Sequence, residues 1–412
     1  MRLKERLQTP WHYILTFAKW LALGILVGAI GGLIGAAFHH TLAFVSGLRK
    51  TNSWLIYLLP VGGIAITALY HLLRLTHNRG TNEVIDSVLH KEEVNPLITP
   101  AIFIATALTQ LVGGSAGREG ATLQMGGSVA SLLAKLLRLK KTDRTMLIMS
   151  GMSAVFAGLF GTPLTACLFT MEFESVGTIF SPALLPCFIA AFTASRISLA
   201  LGVHPETFAL GAFDISLGSL WRIAVLAVCV AILGIAMCHI FHKTEHLAHR
   251  AIKNSWLRVF IGAIIILVLT LIVGDQRFNG AGMDLAMGAL HGSTDWYTFA
   301  LKLIFTAITL AAGFKGGEIV PTFAIGATFG CFFGGLIGLD PGYAAALGLV
   351  GLFCCATNSP LASIVLSIEM FGGHNLHVFA LVCVLCFIIS GRSGLYASQI
   401  LQFSLVDQDP ET

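Results

Sequence analysis

The chain has 412 residues, 56% of them hydrophobic and 11% charged, with a formal net charge of +4. A soluble domain of this size would carry about 25% charged residues. The composition is that of a polytopic membrane protein, and so small a net charge gives no footing for a nucleic-acid partner. Apolar stretches run at roughly 13–46, 55–73, 98–112, 126–138, 145–171, 179–202, 218–241, 258–274, 298–314, 322–338, 343–356, 361–371 and 376–390. Several fall short of the ~20 residues that span a bilayer. Helices that stop midway are tolerated only where protein or water surrounds their ends. The pattern predicts a transporter or channel interior built from helices, some of them broken.

In the first apolar run, Gly24, Gly28, Gly31, Gly32 and Gly35 allow close helix packing. No small-residue cleavage site follows that run, so it is expected to remain as membrane segment. Basic residues gather at Arg2–Arg6, Lys135–Arg144 and His239–Lys253, loops expected to face the cytoplasm. Thr81 and Asn82 follow Arg79-Gly80 and read on their own as a polar turn.

Residues 113–122 read Gly-Gly-Ser-Ala-Gly-Arg-Glu-Gly-Ala-Thr between apolar runs. Arg118 and Glu119 are thus ionisable groups on a glycine-rich break inside the membrane, where a carboxylate marks a functional site by default. The backbone N–H groups of Gly117–Gly120, and the positive end of a helix starting there, suit an anion. A proton-titratable carboxylate at an anion site predicts coupled proton and anion movement. Arg118 is expected to be structural, satisfying carbonyls or biasing the field.

Glu172 and Glu369 each lie nine residues after a proline, Pro163 and Pro360. They are expected to close hydrogen bonds near a helix end, with a cytoplasmic-side proton acceptor as the alternative. His239, His242, His246 and His249 recur at helical spacing with Glu245 nearby, and predict an interfacial amphipathic helix in preference to a metal site. Nine dispersed cysteines argue against a disulfide framework, and Cys383-Val-Leu-Cys386 reads as buried thiols. Neither H-E-x-x-H nor a P-loop occurs, and no histidine or carboxylate partner can be inferred for Ser115, so neither an enzyme nor a cofactor is implied.

The chain is written twice. At an offset of 199, Gly35 falls on Gly234, His40 on His239, and Gly117-Arg118-Glu119 on Gly316-Gly317-Glu318. At 197, Pro163-Leu164 falls on Pro360-Leu361 and Glu172 on Glu369. Ordered matches at nearly one offset are the mark of an internal repeat. The division predicted is 1–217 and 218–412, two repeats forming one integral membrane domain. Repeated membrane halves put a substrate site at their interface, marked by glycine-interrupted segments in corresponding positions. Here those segments are 113–138 and 313–338.

At these residues the chain resembles the CLC family of anion channels and anion/proton antiporters. Gly117-Arg118-Glu119-Gly120 matches the family's gating-glutamate motif. Lys315-Gly316-Gly317-Glu318-Ile319-Val320-Pro321 resembles its second motif, and Tyr396 its anion-coordinating tyrosine. Gly161-Thr162-Pro163-Leu164 and Thr357-Asn358-Ser359-Pro360-Leu361 look like the helix starts that follow. The resemblance implies an all-α fold of two inverted-topology repeats with partially spanning helices. It also implies a homodimer with one pore per subunit, in the cell membrane, with both termini cytoplasmic and no cytoplasmic regulatory domain. Halide and protons are the partners it implies.

Departures from the family pattern bear on substrate. The usual Gly-Ser-Gly-Ile-Pro motif is absent, Thr81 standing at its serine with no proline after it. Ala121 follows the gating motif in place of proline. Phe173 stands where chloride/proton exchangers carry an inner glutamate, and Glu318 replaces an apolar residue. Together these resemble the fluoride/proton antiporter branch. That branch usually has methionine at Thr81 and a polar residue at Val320, so chloride/proton exchange, or a passive chloride channel gated by Glu119, stays open.

The resemblance makes Glu119 the gating and proton-transfer group. It makes Thr81, Asn82, Gly117, Arg118, Gly120, Gly317, Glu318, Ile319, Val320 and Tyr396 the anion-binding set. Glu318, Glu172 and Glu174 are the candidate proton relays, Glu318 having helix capping as its alternative.

Overall fold

The structure, a computed structural model, describes residues 3–173, 175–208, 210 and 217–401. Among them are sixteen α-helices. The first eight are α1 (Leu3–Thr51), α2 (Leu59–Leu72), α3 (Thr81–His90), α4 (Ile98–Leu111), α5 (Glu119–Leu136), α6 (Lys141–Phe160), α7 (Pro163–Glu172) and α8 (Leu184–Ala200). The second eight are α9 (Leu217–Ala251), α10 (Ser255–Val273), α11 (Met283–Leu290), α12 (Thr298–Ala312), α13 (Ile319–Leu336), α14 (Pro341–Thr357), α15 (Pro360–Phe371) and α16 (Leu376–Ser390). A two-residue parallel pairing joins Ser175–Val176 to Ile400–Leu401. This is an all-α integral membrane fold, and its second eight helices answer the first eight in order.

The correspondence is close where it matters. α5 and α13 have 18 residues each. The short helices pair as well, α3 with α11 and α7 with α15. With 10 residues, α3 and α7 extend only ~15 Å each, half the ~30 Å hydrocarbon core. Proline starts α7 and α15, where its missing N–H would have had no helical partner. Asp340 caps α14 by accepting from Tyr343 N at 2.8 Å, and Asn254 caps α10 by accepting from Trp256 N at 2.9 Å.

Glycine sets the helix contacts at one matched pair of crossings. A Cβ on Gly126 would strike the Gly151 carbonyl where α5 crosses α6. A Cβ on Gly326 would lie 2.5 Å from the Gly348 carbonyl oxygen where α13 crosses α14. Only bare backbone lets these helices touch, and the same device appears in both halves.

One expectation is corrected. The histidines at 239, 242, 246 and 249 do not form a separate interfacial helix. They occupy the last turns of α9, a continuous helix of 35 residues and about 50 Å. The apolar run before them and the basic stretch after them share one periodicity, so nothing breaks the helix at the membrane boundary. All nine cysteines are free.

Candidate functional site

Two loops meet at the centre of the molecule. Gly113 (φ +86°) ends α4 and Gly313 (φ +106°) ends α12, both in the left-handed region open to glycine. The chain then runs to Gly117 and Gly317, which exchange backbone hydrogen bonds in an antiparallel bridge. Gly117 N donates to Gly317 O at 2.6 Å and Gly317 N to Gly117 O at 2.9 Å. One residue after the bridge α13 is about to start, and α5 starts just beyond it, so each half delivers a helix N-terminus to the same place.

Glu119, the first residue of α5, is fully buried there. Its Oε2 accepts from Arg118 N at 3.0 Å and from Val320 N at 3.1 Å, at the start of the other half's helix. Its Oε1 has no protein partner. The carboxylate therefore lies on free N–H groups and a positive helix end, the surroundings that hold anions. Its oxygen stands where a bound anion would take the same donor. Gly317 is required beside it, since a Cβ would come 2.8 Å from Glu119 Oε2 and 2.7 Å from Gly120 N.

Arg118 has the structural role expected, through a carboxylate and not through carbonyls, and its charge bears on Glu119. Its guanidinium pairs with Glu206 Oε1 at 2.5 Å and lies 5.0 Å from the Phe160 ring centroid, rather than on carbonyls. Its backbone N–H is what it directs to the Glu119 carboxylate. Arg118 and Glu206 border a cleft of about 200 Å³ that also meets Arg49, Lys50, Arg277 and Val320. Val320, whose N–H holds Glu119, is among the residues that line it.

Glu318 immediately precedes α13 but makes no side-chain capping bond. It is half-buried, and the charges bearing on it are those of Glu245 and Glu119. Tyr396 is buried, with its ring edge-on to Phe173 at 4.7 Å, within electrostatic range of Glu318 and Glu119. Thr81, the first residue of α3, is buried with its Oγ1 2.9 Å from where a Gly120 Cβ would be. Asn82 Oδ1 accepts from Ser398 N at 3.1 Å and fastens α3 to the segment after Tyr396. Ile319 is buried at the first turn of α13. The structure thus gathers Glu119, Glu318, Tyr396, Thr81 and the two glycine loops around one centre.

Glu172 lies elsewhere in role. Its Oε1 accepts from Leu361 N at 3.1 Å and its Oε2 from Ala362 N at 2.8 Å, at the start of α15. Glu369 returns the arrangement on α7, accepting from Leu164 N at 2.9 Å, Thr165 N at 2.8 Å and Thr165 Oγ1 at 2.6 Å. With both oxygens of Glu172 engaged, the relay expectation gives way to a crossed pair of helix caps. Glu174 lies outside the described residues.

Two further residues escape sequence reasoning. Lys302 on α12 is fully buried, and its Nζ donates to Ser115 Oγ at 2.9 Å, Gly280 O at 2.7 Å and Phe278 O at 3.2 Å. Its signal was being the one charged residue in the run 298–314. Gln399 Nε2 donates to Phe173 O at 3.0 Å and Thr357 O at 2.9 Å, locking the segment that carries Tyr396. Nothing in its sequence neighbourhood announces that bond. Among the described residues no three His, Cys, Asp or Glu side chains converge as metal ligands.

Comparison with known proteins agrees with this geometry. A family profile described as voltage gated chloride channel matches residues 62–391. The chain is 35% identical over 390 residues to a chloride/fluoride channel protein of Pseudomonas syringae pv. tomato, covering 93% of this chain and 86% of that one. It is 25% identical over 431 residues to the H(+)/Cl(-) exchange transporter ClcA of Vibrio campbellii, covering 96% and 89%. Its fold matches the crystal structure of a CLC-type fluoride/proton antiporter with a TM-score of 0.90 at 32% identity, covering 93% and 98% of the two chains. The profile takes in both glycine loops and both crossed caps, and the chain belongs to the voltage-gated chloride channel family, the CLC proteins.

Proposed function

We propose that the protein exchanges a halide, fluoride in preference to chloride, for protons across the cell membrane. The observation that carries this reading is the Glu119 carboxylate resting on Val320 N at 3.1 Å, where a halide would compete for the same donor. Ionised, the side chain holds the place through charge. Protonated, it loses that attraction and leaves with its proton while the anion takes the helix end. Gly117, Gly120, Gly317, Ile319 and Val320 supply backbone donors, with Thr81 and Tyr396 offering hydroxyls beside them. Glu318 is the second proton-carrying group. Fluoride is small and strongly hydrated, so it requires such concentrated donors. The resemblance to a fluoride/proton antiporter at 32% identity supports fluoride. The protein works as a homodimer with a pore in each subunit and both termini cytoplasmic, each chain forming one membrane domain from two repeats.

Chloride/proton exchange is the second reading, favoured by the hydroxyl of Thr81 and the apolar Val320. Reconstitution in liposomes with fluoride and chloride electrodes and a pH readout tests both. Proton uptake driven by an outward fluoride gradient, little affected by chloride, is the expected result. Glu119→Gln should abolish proton coupling. Stoichiometric proton movement in that variant would defeat the assignment, and anion flow without protons in the wild type would mean a channel. Cross-linking in membranes checks the dimer.

A further inference from the structure

A buried carboxylate that exchanges protons needs a path to water. Phe173 follows Glu172 in the chain, and Glu172 is occupied as a cap. Titratable groups whose charges reach the site also lie on α9. Cys238, His242, Glu245 and His249 are spaced by four, three and four residues, which puts them on one helix face.

That face leads from the site to solvent. Cys238 lies within electrostatic range of both Glu318 and Tyr396. His242 Nε2 is 3.1 Å from the Leu395 carbonyl oxygen, one residue before Tyr396. Glu245 stands on that face between His242 and the cleft-lining His249, and its charge bears on Glu318, Lys315 and Arg258. Glu83 bears on Lys315 from the α3 side.

His249, Lys315 and Arg258 line an open cleft of about 400 Å³ together with Tyr70, His71 and Lys253. Lys315 Nζ lies 4.6 Å from the Tyr70 ring centroid, and neither it nor Arg258 has an ion-pair partner among the described residues. Glu245 itself is exposed. Among the described residues it is thus the exposed carboxylate whose charge bears on Glu318.

We infer that Glu245 is the inner proton-transfer residue of the exchange, passing protons between the cationic cleft and Glu318. The step is a plain proton transfer. A proton donor in the cleft, water or the His249 imidazolium, gives H+ to the Glu245 carboxylate. The resulting carboxylic acid gives it to the Glu318 carboxylate, and Glu318 supplies Glu119. No bond other than O–H or N–H forms or breaks, and the sequence runs in reverse when protons leave. The cations around Glu245 serve the other substrate, drawing anions into the same mouth. The inference rests on the exchange reading above.

The test is paired proton and fluoride flux in proteoliposomes for the wild type, Glu245→Gln, Glu245→Asp and the surface control Glu92→Gln. Glu245→Gln should lower proton flux about 100-fold while fluoride flux continues. Glu245→Asp should restore coupling with a shifted pH profile, and Glu92→Gln should match the wild type. Continued fluoride flux certifies that Glu245→Gln is folded. A wild-type proton-to-fluoride ratio in Glu245→Gln overturns this inference alone. Joint loss of both fluxes that Glu245→Asp does not rescue assigns Glu245 to structure and also overturns it. A wild type that carries fluoride without protons overturns the exchange reading and this one together.

Discussion

The side chain of Glu318 makes no bond that caps α13, so replacing it removes a charge that bears on Glu119 and leaves the helix start as it was. Glu369 is the contrasting case, since its two oxygens hold three donors at the start of α7. Glu318→Ala should therefore reduce transport per folded molecule at least tenfold, in the range of a lost proton-transfer group. Glu369→Ala should lower yield and stability while the surviving protein transports nearly normally. Flux normalised to monodisperse protein distinguishes the two, and equal small effects would return Glu318 to a bystander. Residue by residue, the sequence was most legible where glycine and charge coincide in an apolar run, as at Gly117-Arg118-Glu119. It was least legible where a side chain's partner comes from another part of the fold. Arg118 pairs with Glu206, 88 positions away, and no local pattern could reveal that.

At the scale of elements, the paired proline starts of α7 and α15 were readable in advance because proline is favoured at the first position of a helix. What each helix start leans on was not readable. Glu172 ends α7 and caps α15, while Glu369 near the end of α15 caps α7. The common distance of nine residues from proline to glutamate was the trace of this exchange, since it places each acid one short helix away from its own start and beside the other's. Hydrogen bonds to a charged group are worth about 1.5–3 kcal/mol each, and stranded donors add to the loss. Glu172→Ala should destabilise the protein by about 3 kcal/mol, read as a lowered melting temperature in detergent. Glu172→Gln, which keeps an acceptor, should lose clearly less. A melting temperature unchanged in Glu172→Ala would mean that water replaces the cap. The long α9 went the other way: its chemistry was legible, but its unity was hidden by a change from apolar to basic side chains that alters the solvent without altering the helix.

Across the whole molecule, the duplication was visible in sequence because both copies kept their glycines and acids. The ties between the copies were not. Lys302 of the second half holds Ser115 of the first against Phe278 and Gly280. Lys302→Met would strand the Phe278 and Gly280 carbonyls in a dry interior, at about 1–3 kcal/mol for each unpaired group, while Ser115 keeps Thr306 as a partner. Lys19→Met, which breaks the exposed pair with Asp143, should change stability by no more than about 1 kcal/mol. Thermal unfolding of both variants checks the contrast. The reciprocal bonds between Gly117 and Gly317, the exchanged carboxylates and this lysine all sit where a hinge would have to open. Ties of this kind oppose any tilt of one half against the other like the leaves of a rocking gate. On the exchange reading proposed above, access would then alternate by the swing of one acidic arm within a stationary housing, each turnover displacing a few atoms rather than half a protein.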